Sequence, residues 1–242
     1  MSEGLLYVLS EPGAVPEEEF HDWYDTEHAP ARLAVPGVRN ALRYRAADGR
    51  TPSWMACYDL DSGALDTPEY ARLRSGRSPR EQRVVDGLAV LDRRVYQLLD
   101  THGALPARPA ERAPFALCVA MSTGDEAALH DWYLGEHIPL LHTLPGWWRT
   151  RRFRLREGTG PRFLAVHDLA GTALFETETY RRATSTPLRA RVLREVTERE
   201  RRLFRFHGAV GGRGVRGGPC CVGPPPGPST PPAHSVASPL TP

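Results

Sequence analysis

One group of acid, base and aromatic residues is spelled twice in this chain. His21-Asp22-Trp23-Tyr24-Asp25-Thr26-Glu27-His28-Ala29-Pro30 runs on to Pro36-Gly37. His130-Asp131-Trp132-Tyr133-Leu134-Gly135-Glu136-His137-Ile138-Pro139 runs on to Pro145-Gly146, an offset of 109 with no gap. His28 and His137 titrate near neutrality and suit general acid or base work. Glu27 and Glu136 precede them, placed to orient the imidazole or act as a second acid. Tyr24 and Tyr133 stand four residues earlier on the same helical face, where a phenol can hydrogen-bond a substrate carbonyl or phenol. Together these groups suit proton transfer: enolisation, dehydration or aldol-type cyclisation. The competing reading is structural, with Glu-His-x-Pro stabilising a helix break at the proline. Trp23 and Trp132 read as core or pocket wall. His130, like His21, falls on the stripe of the later histidine and is a candidate cavity residue. Arg43 and Arg152 lie on strand-like runs, with Tyr44 and Phe153 facing the other way. They either bind an anionic ligand or form ion pairs between layers.

The elements that must position these groups follow the same repeat. Gly4–Ser10 is a short apolar strand, broken by Pro12-Gly13. Glu17-Glu18-Glu19 opens a helix against its N-terminal dipole, and Pro30 interrupts it. Two strands, 40–46 and 54–60, flank Asp48-Gly49, a hairpin signal. Helices over 67–73 and 80–90 and a strand over 94–99 complete the unit. The second copy predicts a strand at 115–121, a helix at 125–141, hairpin strands at 149–156 and 163–169, helices at 177–183 and 188–200, and a strand at 203–206. Strand, helix, strand, strand, helix, strand is the split βαβ, ferredoxin-like order. The predicted class is therefore α+β. Two tandem units, 1–103 and 115–210, pack sheet to sheet as an intrachain pseudo-dimer, because a half-covered sheet must bury its other face. Residues 104–114 read as a Pro/Ala linker, and the Gly/Pro-rich stretch 211–242 as a disordered tail.

Composition narrows the remaining classes. The net charge of +2 gives no electrostatic case for nucleic acid or an anionic membrane. All 31 basic residues are Arg, and Ile138 and Asn40 are the single Ile and Asn. That bias fits a high-GC genome. No signal peptide or membrane-length apolar run is visible, so a cytoplasmic location is expected. Cys57 and Cys118 read as buried thiols. No cysteine or histidine spacing matches a metal site, and no phosphate loop or nucleophile motif is present. Neither metal nor cofactor is expected.

The helix with Trp-Tyr-x-x-Glu-His-x-Pro, the Pro-Gly turn and the hairpin resemble the EthD-like domains of the dimeric α/β-barrel superfamily, over about 4–103 and 115–210. The resemblance implies relatives that include cofactor-less monooxygenases, polyketide cyclases and dehydratases, lactone isomerases and haem-degrading or haem-peroxidase enzymes. It therefore implies a cofactor-independent enzyme working on an apolar, aromatic or polyketide-like small molecule. The alternatives are a non-catalytic ligand-binding or structural barrel, and a haem-binding member with one axial His. His142, Trp147-Trp148 and His167 make the second unit richer in His and Trp, which favours it as the ligand site. Further homodimerisation is compatible with either unit.

Overall fold

The computed structural model describes residues 3–106 and 112–211. Residues 107–111 of the expected linker and 212–242 of the expected tail lie outside the described residues. Eight strands form one closed antiparallel barrel: β1 (Gly4–Glu11), β2 (Leu42–Ala46), β3 (Trp54–Leu60), β4 (Val90–Gly103), β5 (Phe115–Thr123), β6 (Trp147–Glu157), β7 (Phe163–Leu169) and β8 (Val196–Ala209). Around the barrel the order is β1-β3-β2-β8-β5-β7-β6-β4. Residues 4–103 thus contribute the run β4-β1-β3-β2, and residues 115–209 the run β8-β5-β7-β6.

The expected α+β barrel is present, and the structure adds how its two sheets join. β2 hydrogen-bonds to β8, and β4 to β6, so the sheets share edges and curl into one wall. Closure satisfies the edge N–H and C=O groups that open sheets would expose. It also explains why β4 and β8 are longer than their apolar runs suggest. β4 pairs with β1 over Val90–Gln97 and with β6 over Val95–Gly103, so one strand serves both sheets. Residues 196–200, expected as the end of a helix, are the first part of β8, paired to β5. Ion pairs tie the halves together, among them Arg94 with Glu200, Arg202 with Asp48, Arg151 with Asp59 and Arg152 with Asp100.

Strand alternation sorts the side chains into three cores. Leu5, Tyr7 and Leu9 point into the barrel with Tyr44, Cys57, Cys118, Phe153 and Phe204. Leu6 faces outward with Tyr58, under Phe20, Trp23 and Tyr24. Leu117, Val119 and Met121 do the same in the second half, under Trp132, Tyr133 and Ile138. Each large apolar side chain so buried contributes roughly 1.5–3 kcal/mol. Cys57 and Cys118 are free buried thiols inside the barrel.

The outer helices are α1 (Glu17–Trp23), α2 (Ala29–Leu33), α3 (Pro68–Ser75), α4 (Pro79–Gly87), α5 (Glu126–Trp132), α6 (Ile138–Leu141), α7 (Glu178–Ala183) and α8 (Pro187–Arg194). The prolines at 30 and 139 do not break their helices. A π-helical turn, Tyr24–His28, joins α1 to α2, and Tyr133–His137 joins α5 to α6. The amide of Ala29 donates to Tyr24 O, and that of Ile138 to Tyr133 O. The proline lacks the N–H that an i→i+4 bond at that point requires. The wider i→i+5 turn carries the chain past it. Such bulges redirect side chains and often accompany functional sites. Pro36-Gly37 is tight for another reason. Gly37 has φ +85°, and a Cβ there would lie 2.9 Å from that of Ala64.

Among the described residues, no helix is long and apolar enough to cross a membrane.

Candidate functional site

The π turn brings Tyr24 and His28 onto the inner face of the helical layer, over the outer face of β1 and β3. Trp23 and Tyr24 are buried. The His28 ring lies 4.3 Å from Trp23 and 4.8 Å from Tyr24, between ring centroids. Its Nδ1 is 3.2 Å from Glu81 Oε1. A carboxylate only accepts, so His28 Nδ1 carries the proton and Nε2 keeps its lone pair. Among the described residues, no hydrogen bond engages Nε2. Burial, followed by the positive charge of Arg32, drives the imidazole pKa down to about 3. The bond from His28 in turn holds Glu81 below the ordinary carboxylate range, against its burial. Arg32 Nη2 reaches the same Glu81 oxygen at 3.4 Å. The site is thus a neutral histidine oriented by an ionised glutamate.

Tyr24 Oη lies 2.6 Å from Tyr58 Oη. Burial raises both phenols, while the mutual bond lowers Tyr24 and raises Tyr58. Either hydroxyl can donate in this bond, and with Tyr58 donating Tyr24 has its own proton to present. Tyr24, His28, Arg32 and Glu81 border a cavity of about 110 Å³ between sheet and helices, lined also by Phe20, Leu73, Val85 and Arg93. Arg74, Arg77 and Leu91, all exposed, mark its mouth.

The preceding acids do not orient the histidines. Glu27 accepts from Ser78 Oγ, and Glu136 from Thr186 Oγ1. Ser78 and Thr186 are the N-caps of α4 and α8, so both acids clamp the helical layer together. The acid that meets His28 is Glu81, 53 residues away in sequence. Its signal was the capping pattern Ser78-x-x-Glu81, which fixes where that side chain starts. Local spacing could not show that it faces His28.

Arg43 and Arg152 are buried and already compensated. Arg43 contacts Asp25 at 2.8 Å and His21 Nδ1 at 2.7 Å, with its guanidinium 4.3 Å from the Tyr24 ring centre. Arg152 pairs with Asp100 and donates to His130 Nδ1 at 3.3 Å. Both carry their ring partners and brace the helices onto the sheet. His130 packs edge-on to Phe163, and its stripe does not bring it to His137.

The second half repeats the histidine but not its surroundings. His137 stacks on Trp132 at 4.3 Å, is buried, and leaves Nδ1 without a partner. Burial and Arg189 depress it to about 3. Tyr58 is answered by His167, which bonds Thr150 Oγ1 at 2.9 Å; Trp147 Nε1 donates to the same hydroxyl. Trp147 and His167 fill space, and the cavity beside Tyr133 and His137 shrinks to about 40 Å³. The greater His and Trp content thus leaves less room beside His137 than there is beside His28. Among the described residues, no group of His, Cys, Asp and Glu is placed to hold a metal ion.

No protein-family model and no curated protein sequence matches the chain. Solved structures do match in shape. An anthrone oxidase-like protein superposes with a TM-score of 0.63 at 12% identity, over 90% of this chain and 97% of that one. A chlorite dismutase-like protein gives 0.53 at 16% identity, over 86% and 96%. A monooxygenase-like protein of Fusobacterium nucleatum gives 0.50 at 9%, over 88% and 97%. Identities this low speak to architecture and not to chemistry. In fold, the chain is an α+β closed barrel similar to the ferredoxin-like, dimeric α/β-barrel proteins.

Proposed function

We propose that the chain is an EthD-like tandem barrel, an intrachain pseudo-dimer of units 4–103 and 115–210. We assign it a cofactor-independent enzyme activity, with the active cavity in the first unit. The observation that carries this reading is the Glu81–His28 pair and Tyr24 lining one cavity, with Tyr58 bonded to Tyr24 behind it. The reaction class is proton abstraction next to a carbonyl on an apolar aromatic or polyketide-like molecule. The substrate C–H bond breaks and its proton passes to His28 Nε2. The electron pair forms the enolate, whose oxygen accepts a hydrogen bond from Tyr24. Glu81 is a positioning residue: it fixes the tautomer and stabilises the imidazolium as it forms. A base with a pKa near 3 is weak at rest, so this stabilisation must strengthen as charge develops. Enolisation is the step shared by isomerase, dehydratase, cyclase and cofactor-less oxygenase outcomes.

The test uses anthrone, a flat tricyclic ketone with an acidic methylene, incubated with the full chain in D2O under nitrogen. NMR follows loss of the methylene proton signal. Wild type and His137→Ala should accelerate exchange alike, and His28→Ala should lose at least a hundredfold. Equal exchange by wild type and His28→Ala would remove His28 from the chemistry. A non-catalytic, ligand-binding barrel remains the alternative. It predicts saturable quenching of Trp23 fluorescence by anthrone without any exchange.

A further inference from the structure

The small cavity of the second half has lost the acid that the first half uses. Ser78 and Thr186 cap α4 and α8 in the same way, each accepting from the amide three residues on. The residue three past the cap is Glu81 in the first helix and Arg189 in the second. At the same offset of 108, Leu91 becomes Arg199, while Arg93 is matched by Arg201. All three arginines line the 40 Å³ cavity with His137, Tyr133 and Thr184.

None of the three has an acid for company. Among the described residues, neither a salt bridge nor a side-chain hydrogen bond engages the guanidinium of Arg189, Arg199 or Arg201. Arg93, the counterpart of Arg201, is tied to Glu157 and Tyr70; Arg201 only overlies the Phe175 ring at 5.4 Å. Arg189 and Arg201 are half-buried. Glu136, the acid beside His137 in sequence, is held on Thr186. His137 is held neutral beside the arginines and so brings no charge of its own to the cavity. The fields of Arg189 and Arg199 both act against charging it, and among its neighbours no acid acts the other way. Like charges gathered without a counter-ion cost stability, which a folded protein tolerates where a ligand supplies the missing charge.

We propose that this cavity is an anion site, taking the phosphate or carboxylate group of a small molecule between Arg189, Arg199 and Arg201. Its size suits one oxyanion group: a buried water needs about 10–15 Å³ by the same measure, so there is room for roughly three waters. Planar guanidinium forks match both oxyanions bidentately. The proposal does not depend on the chemistry assigned to the first cavity.

Isothermal titration of the full chain at low salt tests it, with inorganic phosphate and acetate as separate probes. Saturable one-to-one binding of either supports the site. Phosphate alone identifies a phosphoryl ligand, acetate alone a carboxylate, and both the shared oxyanion chemistry. Arg189→Gln and Arg201→Gln should each weaken binding at least tenfold, whereas Arg205→Gln, on the exposed surface, should leave it unchanged. Thermal melting without ligand guards against misfolded variants. Relief of repulsion should leave Arg189→Gln at or above the wild-type Tm, and added phosphate should raise the Tm of wild type and Arg205→Gln but not that of Arg189→Gln or Arg201→Gln. No saturable binding by wild type, or equal binding by Arg189→Gln, overturns the proposal.

Discussion

Glu81→Gln is the most informative single change. Gln keeps a carbonyl oxygen that can accept from His28 Nδ1, so the tautomer and the ring position are preserved. The negative charge, however, is gone. As His28 takes a proton, the bond at 3.2 Å would become a charge-assisted pair with a carboxylate. Bonds to charged groups contribute about 1.5–3 kcal/mol, against about 1 for a neutral bond. The difference, about 0.5–2 kcal/mol, should be felt in the transition state and little in substrate binding. It corresponds to a loss of roughly 2- to 30-fold in kcat for anthrone proton exchange, with KM nearly unchanged. Arg32 loses its partner too, so stability should fall modestly, and the Tm must be read alongside the rate. A merely structural Glu81 would lower the Tm without moving kcat per folded molecule. That outcome, or a KM effect alone, would refute the role assigned to it.

Other expectations follow from the same geometry. His28 and His137 both have folded pKa values near 3, well below the ordinary 6.5. The unfolded chain therefore binds more protons between these values, and stability falls as pH drops through that window. Each histidine should cost at most about 2 kcal/mol between pH 6.5 and 5, measured by urea unfolding at both values. His28→Gln with His137→Gln should flatten the slope, and an unchanged slope would show that other groups set it. At the turn, Gly37→Ala should destabilise by about 1–2 kcal/mol from the positive φ alone, plus the clash with Ala64. Gly63→Ala shares a positive φ of 71° but meets no atom within 4 Å. Gly37→Ala must therefore cost more in the same denaturation assay; equal costs would show that the approach to Ala64 does not matter.

Much of the architecture was legible in order and type. The repeated stretch, the Pro-Gly turns and the hairpin strand 54–60 mark out the elements, because apolar alternation and turn residues act locally. Aromatic side chains at helical spacing placed Phe20, Trp23 and Tyr24 in a core. The sequence also showed that His28 and His137 share a motif. It could not show that the two histidines live in different fields. Glu81 and Arg189 lie on later helices, and Tyr58 and His167 on a strand. Only packing of those elements against the π turn brings an acid to one histidine and arginines to the other. Closure was likewise beyond local pattern, since β2 with β8 and β4 with β6 are pairings between distant segments, decided by edges that no single segment carries. Residue types and their periodicity thus determined the elements and the candidate groups. The tertiary structure decided which partner each candidate meets, how much room lies beside it, and so what charge it can hold.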